Sequence, residues 1–188
     1  KPKHMKSEKI IEHFRDTNAL LEGHFILSSG LHSPKYLQCA LALQYPLDSA
    51  KFGKAIAEHF VDAEIETVAS PAIGGLVIGY EVAKALNVRF IWTERKEGIM
   101  TLRRGFSIKK GEKILAVEDV ITTGGSVKEC IDVLKDHGAN VMNAASIIDR
   151  SGGKADVGVP RIWLVELDVP SYEKENCPMC EAGTEAVK

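Results

Sequence analysis

From residue 65 onward, short β-branched runs alternate with stretches of helical period, the form that crossover units on a parallel sheet take in sequence. Strands are predicted over residues 67–70, 88–93, 113–117, 141–148 and 162–167, each too short to be a free-standing helix. Gly74-Gly75 follows the first strand and opens a helix that runs through Leu86. Thr122-Thr123-Gly124-Gly125-Ser126 follows the third and opens a helix in which Val127, Cys130, Ile131 and Leu134 share one face. Upstream, Ile10, Ile11 and Phe14 give a first helix an apolar side, and Asp48 precedes Phe52, Ile56 and Phe60 as an N-cap precedes a buried stripe. The expected class is α/β. A single domain is expected over 1–188, with its core at about 46–168 and a small appended layer from about 20–45 plus the C-terminal tail. Lys1-Pro2-Lys3-His4, ahead of Met5, reads as an addition before the natural start.

Composition narrows the class without changing it. A chain of 188 residues, 45% apolar and 27% charged, is an ordinary globular domain. One of that size buries about 70% of its unfolded surface and needs no disulfide or metal staple. No window approaches the apolar run of a membrane span, so a cytoplasmic protein with no membrane partner is expected. Cysteines at 39, 130, 177 and 180 are too sparse for a secreted disulfide framework, which fits a reducing compartment. Cys177-Pro178-Met179-Cys180 has zinc-ligand spacing, but the sequence shows no second such pair and no paired histidines. Two free thiols in a tail are expected, and no metal site by direct motif. The net charge of −2 hides an asymmetry: between Arg95 and Lys113 seven basic residues stand against two acidic ones. A basic segment on an acidic body suits a small anion, and a nucleic-acid partner is not expected.

The chemistry concentrates in Ile114-Leu115-Ala116-Val117-Glu118-Asp119-Val120-Ile121-Thr122-Thr123-Gly124-Gly125-Ser126. In open parallel sheets, ligands bind beyond the carboxyl ends of the strands, where loops enter helix N-termini. Here an apolar strand delivers two adjacent carboxylates to that end, and a turn of hydroxyls and glycines follows. Glycines permit close approach of the backbone, and the N–H groups of a helix start attract phosphate. Ionised carboxylates only accept hydrogen bonds, which suits a vicinal diol or hydrated Mg2+. Phosphate at one end and ribose hydroxyls at the other describe a phosphoribosyl group; P-loop and dinucleotide-fold patterns are absent from the sequence. Ser126 with Glu129 also reads as a capping box, which accounts for Ser126 and nothing upstream.

This segment resembles the phosphoribosyl pyrophosphate (PRPP) signature of the type I phosphoribosyltransferases. The resemblance implies a central parallel sheet of about five strands flanked by helices, a mobile loop over the site and a small hood that selects the base. It assigns PRPP to Glu118, Asp119, Val120, Ile121, Thr122, Thr123, Gly124, Gly125 and Ser126, with Gly74 in a pyrophosphate loop, Ser70-Pro71-Ala72-Ile73-Gly74-Gly75. Mg2+ is implied, carried mainly by PRPP with Glu118 and Asp119 beside it.

Within that family, the chain most resembles the orotate phosphoribosyltransferases, from about Phe25 to Arg150. Phe25-Ile26-Leu27-Ser28-Ser29-Gly30-Leu31-His32-Ser33-Pro34-Lys35-Tyr36 looks like the hood stretch over the pyrimidine, and Ser146-Ile147-Ile148-Asp149-Arg150 like the strand end whose arginine reads orotate. The resemblance thus implies orotate contacts from Thr122, Arg150 and Tyr36. A planar guanidinium meets orotate's carboxylate and imide acceptors in bidentate fashion. Arg95 and Lys96, opening a weakly periodic stretch to Ile108, resemble the lid that reaches a neighbouring subunit, which implies a homodimer. Many orotate enzymes carry a further lysine and a histidine there; this chain has Glu97-Gly98-Ile99-Met100-Thr101, so Arg103 and Arg104 join Arg95 and Lys96 as candidate catalytic cations with Glu118 and Asp119. Ser28 and Gly74 also stand where lysines are common in the family. A purine phosphoribosyltransferase and a non-catalytic PRPP-sensing regulator remain as alternatives.

Overall fold

The computed structural model describes residues 5–188, so the reading of Lys1-Pro2-Lys3-His4 lies outside the described residues. Helix α1 (Ser7–Asp16) leads into a hairpin of β1 (Leu20–Ile26) and β2 (His32–Leu37), then α2 (Cys39–Leu43) and α3 (Pro46–Ala57). Crossover units follow: β3 (Thr67–Pro71), α4 (Leu76–Leu86), β4 (Arg89–Lys96), β5 (Ile99–Leu102), β6 (Lys113–Ile121), α5 (Gly125–Asp136), β7 (Asn140–Asp149) and β8 (Arg161–Glu166). A 3-10 turn (Lys174–Asn176) and α6 (Pro178–Glu181) end the chain.

The main sheet has the order β5-β4-β3-β6-β7-β8. Its five expected strands are parallel, and β5 adds an antiparallel edge against β4. Period-2 alternation along β6 explains why both faces are covered. Leu115 and Val117 join one apolar cluster with Ile10, Phe14, Phe52 and Ile78 of α1, α3 and α4. Ile114 and Ala116 join another with Val127, Ile131 and Leu134 of α5. A parallel sheet wrapped on both sides reads as an unbroken apolar run for this reason, as Ile114-Leu115-Ala116-Val117 does.

Two helix starts differ from expectation. Asp48 is not the N-cap of α3: Tyr45 is, with Pro46 at the first helical position, where a missing N–H costs nothing. Asp48 sits inside the first turn, 3.6 Å from Lys51 Nζ and 3.9 Å from His13 Nδ1. Helix α5 is capped by Gly124 with no side-chain bond, so Ser126 lies within its first turn and forms no capping box; Glu129 instead pairs with Arg95.

The β1–β2 hairpin forms a separate two-stranded sheet stitched to the C-terminal segment. His32 and Tyr172 exchange both backbone hydrogen bonds at 2.8 Å, Ile26 N–H donates to the Val187 carbonyl and Val187 N–H to that of His24. Buried Ser33 donates to the Pro170 carbonyl at 2.8 Å. These pairings carry Cys177 and Cys180, both free thiols as expected, against His24 and His32, histidines that no spacing in the sequence had paired with them. The reason is register: His32 lies opposite Ile26, so His24 is its diagonal neighbour on the same hairpin face, a pairing no local motif encodes.

Candidate active site

The connection β3→α4→β4 runs to one side of β3, and the chain then returns through β6 on the other side. The point where strand order reverses therefore lies between β3 and β6, and the crevice beyond their carboxyl ends is where such sheets bind ligands. A cavity of 280 Å3 is found there, lined by Ala72, Gly74 and the run from Glu118 to Val127. A larger one of 620 Å3 is formed by α1 and α3 around Lys9, His13 and Lys51, away from the paired acids.

Glu118 and Asp119 sit near the carboxyl end of β6 rather than beyond it, since the strand continues to Ile121 against β7. Glu118 is 8% exposed. Burial first, and the adjacent Asp119 second, push its carboxyl up to about 9. Burial and the neighbouring acid thus favour the protonated form of Glu118 in the ligand-free protein, against the expectation that both acids stand as ionised acceptors. Asp119 faces the loop after β3, where a Cβ on Gly74 would lie 3.1 Å from its Oδ2. Asp119 Oδ1 accepts from Val120 N–H at 2.7 Å. The Ala72–Ile73 peptide in the same loop is cis.

Beyond Ile121 the chain turns through exposed Thr122 and Thr123 into α5. Gly124 has φ +83°, and a Cβ there would meet Val157 Cγ1 at 2.9 Å, so both backbone and neighbour demand glycine. The first intrahelical bond runs from Lys128 N to the Gly124 carbonyl, and the N–H groups before it face the loop. Gly125 N–H is steadied by Thr123 Oγ1 at 3.3 Å. A turn of amides at the positive end of a twelve-residue helix is the kind of place that attracts an anion, and the paired acids stand at the other side of the same cavity.

Arg150 follows β7, its N–H held by the Ile121 carbonyl at 2.8 Å, and its side-chain Nε is buried without a partner. Burial pulls its guanidinium below the usual value, while nearby Cys39 acts in the opposite direction. Cys39 was not singled out by sequence reasoning. It starts α2, is buried, and lies beside Asp119, Glu118 and Arg150; burial and then those two acids raise its thiol well above the ordinary value. A lone cysteine after a strand gives no sequence signal for such a position. Neighbouring Asp149 is fully buried and accepts from Arg161 at 2.8 Å, Ser151 Oγ at 2.8 Å and Gly153 N–H at 2.8 Å, fixing the loop after Arg150. Tyr36 does not line the cavity; it is 37% exposed on the hairpin, with its ring 5.9 Å from that of Phe25.

The basic segment is not an irregular lid from its start. Residues 89–102 form the β4–β5 hairpin, with Lys96 opposite Ile99 and Glu97 and Gly98 at φ +53° and +81°. Two positive φ values in a two-residue loop define a type I′ turn, whose twist suits a hairpin. This turn occupies the place where the further lysine and histidine were missed. Arg95 makes a bidentate pair with Glu129 at 2.7 and 3.0 Å. Arg103 and Arg104 both converge on Glu94, at 2.7 and 2.9 Å. Lys96 is exposed at the hairpin end. The four cations are therefore not gathered over the cavity in this conformation.

Comparison with known proteins agrees with this architecture. A family model described as a phosphoribosyl transferase domain matches residues 47–163. The chain is 52% identical over 184 residues to the orotate phosphoribosyltransferase of Caldicellulosiruptor bescii, covering 98% of this chain and 97% of that one. It is 51% identical over 179 residues to the orotate phosphoribosyltransferase of Thermotoga maritima, covering 95% and 96%. The crystal structure of orotate phosphoribosyltransferase from Aeropyrum pernix superposes with a TM-score of 0.68 at 25% identity, covering 84% of this chain and 93% of that one. With a parallel sheet that opens at β3 and β6 onto paired acids and a glycine-turned helix start, the chain belongs to the phosphoribosyltransferase family, among the orotate phosphoribosyltransferases.

Proposed function

We propose that the chain transfers the phosphoribosyl group of PRPP to N1 of orotate, giving orotidine 5′-monophosphate and pyrophosphate in pyrimidine synthesis. The observation that carries this reading is the cleft between β3 and β6, where Asp119 and the α5 amides stand at the two ends of one cavity. The 5′-phosphate sits on the turn from Thr122 to Ser126, with Val120 and Ile121 as its floor, and the ribose hydroxyls meet Asp119 and Glu118. The pyrophosphate lies toward Gly74. In the reaction the base nitrogen forms its bond to the anomeric carbon as the bond to the pyrophosphate oxygen breaks; that electron pair leaves with pyrophosphate, and the proton lost from N1 passes to pyrophosphate or solvent. Positive charge develops on the sugar, as in glycoside chemistry, so acids beside it stabilise the transition state.

The carboxylate oxygens are hard donors that fit Mg2+, and Glu118 and Asp119 would hold it together with PRPP, where it would supply positive charge to neutralise the leaving group. Arg95, Arg103 and Arg104 assist pyrophosphate only after exchanging Glu129 and Glu94 for it. The arginines of these pairs are solvent-exposed, and ion pairs held by exposed partners are weak, so the exchange is inexpensive. Arg150 reads orotate: its unpartnered Nε and desolvated guanidinium gain most from a planar anionic base, with Thr122 beside it. Tyr36 closes over the ring only if the hairpin moves toward the cleft.

The reading extends to one cytoplasmic domain acting as a homodimer, with β1–β2 and the C-terminal segment as hood. No helix among the described residues is long and apolar enough to cross a membrane, which fits that setting. The test is base consumption with PRPP and Mg2+, offering orotate, adenine, guanine, hypoxanthine or uracil separately. Loss of orotate alone is expected. Turnover of a purine would overturn the base assignment, and binding of PRPP with no turnover would overturn the enzyme.

A further inference from the structure

We propose that His24, His32, Cys177 and Cys180 form a closed zinc site that locks the hood hairpin to the C-terminal segment. The four ligand atoms lie within 4.8 Å of one another. Sulfur-to-nitrogen separations are 3.6 Å (Cys177 Sγ to His24 Nε2), 3.7 Å (Cys180 Sγ to His24 Nε2) and 3.4 Å (Cys180 Sγ to His32 Nδ1). Zinc bonds of about 2.3 Å to sulfur and about 2.0 Å to nitrogen at tetrahedral angles place neighbouring ligands roughly 3.3–3.8 Å apart, and these separations fall in that range. The imidazole pair, at 2.8 Å, is about half an ångström closer and opens slightly to admit the ion.

Two features beyond the ligand atoms support a built site. His24 Nδ1 is 3.1 Å from the Thr184 carbonyl and 2.9 Å from Thr184 Oγ1, whose own proton goes to the Met179 carbonyl at 2.8 Å. A carbonyl only accepts and that hydroxyl proton is already used, so Nδ1 must carry the hydrogen and Nε2 presents its lone pair to the cluster. Such an outer partner, fixing tautomer and ring orientation, is the usual support of a metal-binding histidine. Burial is the second feature: Cys177 is 3%, His32 5% and His24 6% exposed. Thiolate with imidazole in a four-ligand set selects zinc over the oxygen-loving cations, and a filled coordination shell leaves no position for catalysis. Zinc entry releases the two thiol protons to solvent, and His32, whose Nδ1–H donates to His24 Nε2 in the metal-free protein, gives up that proton and takes one from solvent on Nε2, freeing Nδ1 for the ion.

The site is independent of the base and sugar assignments. The full-length protein, purified without chelator and under reducing conditions, should contain about one zinc per chain by elemental analysis. Cobalt offered to the chelator-stripped protein should give tetrahedral ligand-field bands with thiolate charge transfer. Ellman titration of the native state should find Cys177 and Cys180 protected, then exposed by chelator. Cys180→Ser should weaken zinc binding at least about 100-fold; if that variant does not fold, the cobalt spectrum of the unmodified chain decides. A chain that stays metal-free after equilibration with zinc, an octahedral cobalt spectrum, or unchanged zinc affinity in Cys180→Ser would each overturn the proposal.

Discussion

In the cradle proposed for the sugar phosphate, thirteen consecutive residues from Ile114 to Ser126 supply strand, paired acids and helix-start amides, and their spacing along the chain is their spacing in space. At the junction of the β1–β2 hairpin and the C-terminal segment, the clustered side chains come from positions as far as 156 residues apart, brought together by hairpin register and two isolated backbone bridges. The cradle leaves its polar groups facing a cavity, whereas the junction satisfies nearly all of its own. The difference separates the kinds of damage expected: substitutions in the cradle should alter what is bound and turned over, and substitutions at the junction should alter how firmly two segments hold.

The largest expected effect is on turnover. Asp119→Asn keeps shape and removes charge where positive charge develops on the sugar, so kcat should fall about 10²–10³-fold. The melting temperature should move by less than about 2 °C. Equal loss of both would place Asp119 with the structural residues and erase the contrast. Steady-state kinetics and a thermal scan on the same preparation decide it.

The next effect is on pH dependence. Glu118 is raised to about 9 in the fold from an ordinary value near 4.5. Its protonated form is the one the fold favours, so its contribution to stability is full below about 4.5 and is lost as pH climbs toward 9. The slope reaches up to about 1.4 kcal/mol per pH unit. Glu118→Gln should flatten the ligand-free stability profile over that window relative to the unmodified chain. Parallel profiles would mean the acid is ionised in the fold.

Arg150→Lys replaces a planar fork by a point charge and should raise KM for orotate about 10–100-fold, leaving PRPP affinity unchanged. A matching loss of PRPP affinity would move Arg150 from the base to the sugar. The smallest effect sharpens the other side of the contrast. Ser33→Ala removes the hydroxyl that donates to Pro170 and accepts from Lys35 N–H, and should lower stability by about 1–2 kcal/mol with kcat unchanged.

The contrast also explains what could be read from the chain. Both faces of β6 are covered, so Ile114-Leu115-Ala116-Val117 is uninterrupted, and its two acids and glycine turn follow without a gap. Strand positions were legible for that reason, within a few residues at the ends. The antiparallel edge β5 was not. Its signal is the dipeptide Glu97-Gly98 flanked by short alternating runs, masked by basic residues that read as a solvated lid. The capping box at Ser126 failed because a glycine at φ +83° had already turned the chain one residue before the helix began. Cys39 beside Asp119, and the histidines beside Cys177 and Cys180, were invisible because each meeting depends on tertiary pairing rather than spacing.

The most direct test of the central claim is calorimetric titration of the unmodified chain with PRPP and Mg2+ in the absence of any base. The account predicts a single saturable heat with about one PRPP per chain, lost or strongly weakened in Asp119→Asn. Absence of both heat and saturation with the unmodified chain would contradict the assignment of the β3–β6 cleft to the sugar.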